Sequence, residues 1–142
     1  MTIYLDSSAL AKLLRAERGQ EIARAAFDGA GTRATSAISY PEVCATLAAW
    51  HPLQASPGAR DARAELDRSW PVLFVIGVDE STARLAGELA LRHRLRGMDA
   101  IHVASALEIA GDVPHELSFV SWDRAQREAA RKEGLAVVPE KL

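Results

Sequence analysis

Short apolar runs alternate along the chain with longer segments in which apolar residues recur every three or four positions. A run of a few apolar residues is typical of a buried strand, and the longer period is typical of an amphipathic helix. The order strand, helix, strand, helix favours an α/β fold with a mainly parallel sheet. The pattern predicts five strands, over residues 2–5, 33–36, 72–78, 117–122 and 135–138.

Seven helices are predicted between these strands. Serine, aspartate or proline marks most of their starts, and glycine marks several of their ends. The predicted helices cover residues 7–16, 20–27, 40–50, 59–69, 79–95, 99–111 and 123–133. Because residues 72–78 are apolar almost throughout, that strand is expected to be covered on both faces.

The composition is that of an ordinary globular protein. The 142 residues are 49% hydrophobic and 25% charged, which excludes disordered and fibrous classes and predicts one domain over residues 1–142. A net charge of −2 excludes proteins that hold nucleic acid by bulk positive charge. With Cys44 as its single cysteine and no apolar leader or membrane span after Met1, the chain is expected to be cytoplasmic.

Four carboxylates fall where an α/β sheet places its ligand crevice. Asp6 and Asp123 follow predicted strands directly, and Glu42 and Asp99 lie in the first turns of helices that run back along the sheet. Each also has a purely structural explanation as a helix cap, and Ser39 with Glu42 fits a capping box.

A second strand end limits what position alone can prove. Asp79 ends a predicted strand and starts a helix in the same manner as Asp6. Position therefore does not separate a site residue from a cap.

Electrostatics favours a cation if the four acids converge. Two carboxylates about 5 Å apart repel by roughly 3 kcal/mol at an effective dielectric constant near 20. Oxygen ligands of this kind suit Mg²⁺ or Mn²⁺. The four histidines lack the paired spacing of a zinc site.

These acids and their neighbours resemble the PIN domain, in particular the VapC-type toxins of bacterial toxin–antitoxin modules. The resemblance spans nearly the whole chain. Four motifs in the family's order carry it, over residues 4–13, 39–43, 96–104 and 119–123.

The resemblance implies a PIN-like three-layer α/β fold, a parallel sheet of about five strands flanked by helices. It also implies endonucleolytic RNA cleavage that depends on Mg²⁺ or Mn²⁺. Asp6 and Asp99 are then the principal metal ligands, Glu42 a ligand or the orienter of a water, and Asp123 the ligand of a second position. Ser8 and Ser121 match hydroxyl positions that orient a carboxylate or a water, with helix capping as the competing role.

Two further residues stand near these motifs. His102 lies three residues after Asp99 on the same helix face, and a hydrogen-bonded core role is favoured over catalysis. Arg96 is the first choice for an RNA contact among the basic residues near the acids, which are Lys12, Arg15, Arg92, Arg94, Arg96, Arg124 and Arg127.

The resemblance also implies partners: an RNA substrate, a cognate antitoxin whose tail enters the active-site groove, and a second copy in a homodimer. The alternative is a PIN-like module that binds RNA or protein without cutting. Phosphatases that use an aspartyl phosphate are disfavoured, because Asp6-Ser7-Ser8 lacks a second acid two residues on. Nucleotide-binding folds are disfavoured by the absence of a glycine-rich phosphate loop.

Overall fold

The computed structural model describes residues 1–142 and contains one five-stranded sheet. All strand pairs are parallel, and the strand order is β3-β2-β1-β4-β5. The strands are β1 (Thr2–Leu5), β2 (Thr32–Ser36), β3 (Phe74–Ile76), β4 (Leu117–Val120) and β5 (Ala136–Val138).

Seven α-helices connect and cover the strands, with short 3₁₀ turns at Trp70–Val72 and Pro114–Glu116. The longest helices have 14 residues, and none is long and apolar enough to cross a membrane. The helices are α1 (Ser7–Leu13), α2 (Gln20–Gly29), α3 (Ser39–Trp50), α4 (Pro57–Ser69), α5 (Glu80–His93), α6 (Gly97–Ala110) and α7 (Arg124–Lys132).

The helices form one layer on each face of the sheet. Successive side chains of a strand point to opposite faces, and on β1 this places Tyr4 in the core under α5, α6 and α7. Ile3 and Leu5 point the other way, into the core under α1, α2, α3 and α4. The predicted three-layer α/β fold is therefore confirmed.

The expectation that residues 72–78 form a strand covered on both faces is wrong. Only Phe74–Ile76 form a paired strand, and β3 is an edge strand that pairs with β2 alone. Val72 instead belongs to a 3₁₀ turn. Hydrophobic residues of an edge strand remain accessible, and the Phe74 side chain is 61% exposed. An apolar run by itself does not distinguish a central strand from an edge strand.

Two predicted helices are shorter than expected. The first ends at Leu13 rather than near Ala16, and α5 ends at His93 rather than Leu95. Arg94 adopts a left-handed conformation with φ of 56°, which stops the α-helical hydrogen-bond pattern.

The strand order places the crevice of the sheet above β1 and β4. From β1 the chain turns to β2 on one side, while β4 flanks β1 on the other side. Leu5 at the end of β1 lies opposite Val120 at the end of β4. Ligands of open α/β sheets bind beyond the carboxyl ends of the strands, at the point where the chain connections leave two neighbouring strands in opposite directions. The predicted acids are at this edge.

Candidate active site

Asp6 is the first residue after β1, and its carboxylate is fully buried. Its Oδ1 accepts hydrogen bonds from the Ser8 hydroxyl at 2.7 Å and from the Ala9 amide at 2.8 Å. The bond from Ala9 caps α1. Burial raises the pKa of Asp6, while the charge of His102 and the hydrogen bonds act in the opposite direction. Asp6 is thus both a helix cap and a buried acid at the crevice.

The two predicted serines hold the Asp6 carboxylate from β4 and α1. The Ser121 hydroxyl donates to Asp6 Oδ2 at 2.7 Å and accepts from the Asp123 amide at 3.0 Å. The Ser8 hydroxyl also accepts from the Trp122 amide at 2.9 Å. Neither serine hydroxyl caps a helix, since Asp6 and Asp123 cap α1 and α7. Together the serines tie the ends of β1 and β4.

Asp99 lies in the first turn of α6, and the expectation that it caps this helix is wrong. The helix begins at Gly97 after Arg96, whose side chain makes no capping bond. Burial raises the pKa of Asp99, and the charges of Asp123 and Glu42 raise it further. The structure thus brings three of the predicted acids within electrostatic reach of one another.

Asp123 caps α7, as predicted, but the strand predicted over residues 117–122 ends at Val120, so two residues separate β4 from Asp123. Its Oδ1 accepts a hydrogen bond of 2.8 Å from the Gln126 amide. Its charge acts on Asp99 across the crevice.

Glu42 does not form the predicted capping box with Ser39. The Ser39 hydroxyl instead lies 2.7 Å from Thr35 Oγ1. The Thr35 hydroxyl also donates a hydrogen bond to the Leu5 carbonyl, and both side chains are buried. This leaves the Glu42 carboxylate free to accept a hydrogen bond from His102, at 2.6 Å between Oε1 and Nε2. The Glu42 side chain is 27% exposed, so one side of it faces solvent.

His102 is fully buried and hydrogen-bonded on both sides of its ring, which agrees with the favoured core role. Its Nδ1 lies 2.8 Å from the Tyr4 hydroxyl. The Tyr4 ring stacks on Phe119, with ring centres 5.5 Å apart. The histidine therefore joins the core of the sheet to an acid at its edge.

The sequence analysis missed two residues of the site. Tyr4 contacts His102, and the Gln126 side-chain amide donates to Asp99 Oδ1 at 3.0 Å. Gln126 had a detectable signal, because it is a polar residue in the buried stripe of α7 that includes Ala129 and Ala130. Tyr4 had none, since a tyrosine in a central strand reads as ordinary core.

The acids suit a hard cation in their chemistry, but they are not assembled around one point. No group of three or more His, Cys, Asp or Glu side chains is placed to hold a metal ion. Asp6 is fixed by its three hydrogen bonds, and its Oδ2 accepts only one of them. Each carboxylate oxygen has two acceptor positions, so Asp6 retains acceptor capacity. Glu42, Asp99 and Asp123 are less buried than Asp6.

The basic residues near the acids divide by their contacts. Arg127 is buried and bonds to the carbonyls of Ser121 and Pro139, which excludes it from an RNA contact. Lys12, Arg15 and Arg92 are engaged by Glu17, Trp50 and Glu133. Exposed arginines without an ion pair remain beside the crevice, namely Arg94, Arg96 and Arg124.

Comparison with known proteins agrees with this architecture. The family model described as PIN domain matches residues 3–134. Ribonuclease VapC45 of Mycobacterium tuberculosis is 38% identical over 143 aligned positions, which cover 99% of this chain and 96% of the relative.

Two solved structures show the same fold at low sequence identity. One is VapC20 of Mycobacterium tuberculosis, described as a sarcin-ricin loop cleaving toxin. It superposes with a TM-score of 0.70 at 19% identity, over 95% of this chain and 97% of that one. The other is a toxin-antitoxin complex from Klebsiella pneumoniae, with a TM-score of 0.59 at 20% identity, over 87% of both chains. The chain belongs to the PIN-domain family, among its VapC-type members.

Proposed function

We propose that this protein is an endoribonuclease of a toxin–antitoxin module that depends on Mg²⁺ or Mn²⁺. The observation that carries the proposal is the placement of Asp6 and Asp123 beyond the carboxyl ends of the adjacent strands β1 and β4, with Asp99 near enough that the charges of Asp123 and Glu42 raise its pKa. Acids that repel one another in this way favour a bound cation. The ribonuclease name of a relative that is 38% identical supports RNA as the substrate.

The residues fit a hard divalent cation in ligand type and charge. Asp6, Glu42, Asp99 and Asp123 offer only carboxylate oxygens, which is the ligand set of Mg²⁺ and Mn²⁺. We assign Asp6 and Asp99 as the principal ligands. Glu42 is a ligand or orients a water, and Asp123 serves a second, weaker position. The bound cation supplies positive charge for the phosphate and lowers the pKa of water.

The protein's own residues supply position. Ser8 and Ser121 hold the Asp6 carboxylate by hydrogen bonds of 2.7 Å each, so the anchor of the site keeps one orientation. The Gln126 side-chain amide likewise donates a hydrogen bond to the Asp99 carboxylate. Outer hydrogen-bond partners of this kind typically change metal affinity or activity by about 10–100-fold when removed.

RNA binding is assigned to the arginines at the rim of the crevice. Arg96 directly precedes α6, three residues before Asp99, and Arg124 follows Asp123 directly. Both are exposed and free of ion pairs, so their charge is available to a phosphate backbone. This arrangement supplies local positive charge in a chain whose net charge is −2.

We infer that a cognate antitoxin closes the same crevice, since the structural neighbours include a toxin-antitoxin complex. A homodimer and a cytoplasmic location remain predictions from the family. The alternative function, RNA or protein binding without cleavage, is favoured by one observation: no three acids are placed to hold an ion.

Cleavage of a mixed cellular RNA pool tests the proposal. The full chain, purified free of antitoxin, is incubated with Mg²⁺, with Mn²⁺ and with EDTA. We expect cuts with either metal and none with EDTA. Asp99→Asn should fold and lose the cuts, because it removes a principal ligand.

Asp79→Asn is the matched control. Asp79 also follows a strand and caps a helix, but its partner is Thr82 at the edge of the sheet. It should cut like the wild type. Cleavage by Asp99→Asn at the wild-type rate would refute the ligand assignment. A folded wild-type protein that cuts no RNA with either metal would favour the binding module.

A further inference from the structure

We propose that His102 is a positioning residue for Glu42, and that Tyr4 holds His102 in the orientation this requires. The inference rests on the proposed function only for the role of Glu42 in the reaction. The hydrogen bonds themselves are properties of the fold. Tyr4 and His102 are both fully buried, whereas the Glu42 side chain is 27% exposed at the crevice.

The geometry determines which ring nitrogen carries a proton. His102 Nε2 lies 2.6 Å from Glu42 Oε1. An ionised carboxylate only accepts hydrogen bonds, so Nε2 must be the donor at this distance. The neutral imidazole with its proton on Nε2 and the charged imidazole can both donate this hydrogen bond. A ring protonated at Nδ1 alone would place two acceptors against each other.

The other side of the ring is held by a rigid part of the core. Nδ1 lies 2.8 Å from the Tyr4 hydroxyl. Tyr4 belongs to the central strand and pairs with Ala34 on one side and Phe119 on the other. Its ring stacks on Phe119 with an interplanar angle of 4°. A partner fixed in this way keeps the imidazole from rotating, so the orientation of Nε2 is set by the sheet.

The contact joins helices from opposite faces of the sheet. Glu42 is on α3, which packs over Ile3 and Leu5, whereas His102 is on α6, which packs over Tyr4. Residues three apart on a helix share a face, so Asp99 and His102 both point toward the crevice. One helix thus carries an acid directly and fixes a second acid through its histidine.

Orientation of Glu42 by the protein has a physical effect on the site. A free glutamate side chain loses rotamer entropy when it is immobilised. With His102 in place, this entropy is lost when the protein folds and not during the reaction. The effect is expected mainly in kcat, because His102 is fully buried and acts only through Glu42.

Nitrogen NMR of the full chain in EDTA tests the hydrogen-bond assignment without any activity. We expect the His102 resonances, assigned by their loss in His102→Gln, to show a proton on Nε2 at neutral pH. A ring with its only proton on Nδ1 would overturn the proposal. Because no metal or RNA is present, this result stands even if the nuclease proposal fails.

Kinetics with three variants tests the positioning role. His102→Leu should lower kcat by about 10–100-fold with little change in KM. His102→Gln should recover most of the loss, since the glutamine amide places an N–H donor near the position of Nε2. Tyr4→Phe keeps the ring that stacks on Phe119 and removes the hydroxyl, and a several-fold loss in kcat is expected.

His93→Leu is the matched control. His93 Nε2 lies 2.6 Å from Glu133 Oε1, which reproduces the same kind of contact away from the crevice. It should leave kcat unchanged. The proposal is overturned if folded His102→Leu has the wild-type kcat, if His102→Gln is as slow as His102→Leu, or if His93→Leu loses as much. If His102→Leu does not fold, Tyr4→Phe decides, and wild-type kcat in that variant overturns the proposal.

Discussion

Asp6→Asn is expected to abolish RNA cleavage and to stabilise the metal-free protein. The wild-type carboxylate is fully buried, and burial raises its pKa. A raised pKa means that the charged form is the less favourable one inside the fold. Asparagine has nearly the same shape and no charge. Its oxygen can accept from Ser8 and Ala9, and its amide can donate to Ser121 once that hydroxyl rotates.

The magnitude follows from two opposing effects. Hydrogen bonds to a charged acceptor are stronger than neutral ones by about 1 kcal/mol each, so the three bonds together weaken by about 3 kcal/mol. Removing the charge relieves an effective desolvation cost of about 5 kcal/mol. The net stabilisation is about 2 kcal/mol. For 142 residues, an unfolding entropy of about 2.1 cal/mol/K per residue converts this to a rise in Tm of about 7 °C.

The pH dependence has a definite sign. The folded state binds the Asp6 proton more tightly than the unfolded chain does. Stability from this group therefore falls as pH rises from the ordinary value of 3.8 through the raised folded value, and stays low above it. Asp6→Asn removes this loss of stability. The Tm of the variant should therefore exceed the wild-type Tm by a small amount in acid and by the full amount worked out above at neutral pH.

Thermal unfolding followed by circular dichroism in EDTA measures the effect. Mg²⁺ should then raise the Tm of the wild type and leave Asp6→Asn unchanged, because a ligand that binds only the folded state stabilises it. Asp79→Asn is the control with opposite sign. The hydrogen bonds from Thr82 lower the pKa of Asp79, and that variant should have a reduced Tm. A Tm of Asp6→Asn at or below the wild-type value in EDTA would refute the reasoning.

Three further substitutions test the surroundings of the acids. Ser121→Ala should lower kcat by about 10–100-fold, measured by RNA cleavage, because Asp6 loses the donor to Oδ2; an unchanged kcat would contradict this. Arg127→Met should destabilise the fold by about 2 kcal/mol or more in a urea titration, since it leaves buried carbonyls without donors. Gln126→Leu should raise the pKa of Asp99 in EDTA, followed by carboxyl-carbon NMR, because the bond from Gln126 lowers it; a pKa that stays or falls would count against that role.

The sequence predicted the elements and the four acids because both leave local signals. Apolar period and capping residues located all five strands and seven helices. Asp6 and Asp123 stand out because each follows a strand and caps the next helix. The same local reasoning failed at Glu42 and Asp99. Their first-turn positions predicted capping, whereas a histidine and a glutamine from other helices hold them.

Tertiary structure decided what no local pattern encodes. The apolar run before Asp79 lies at an edge of the sheet because strand order depends on contacts between segments far apart in the chain. The Tyr4, His102 and Glu42 contacts likewise join residues separated by 98 and 60 positions. The sequence by itself thus determined which residues are candidates for the site, because residue type and hydrophobic period are local properties of the chain. Packing of both helical layers on the central strand determined which side chains hold each acid.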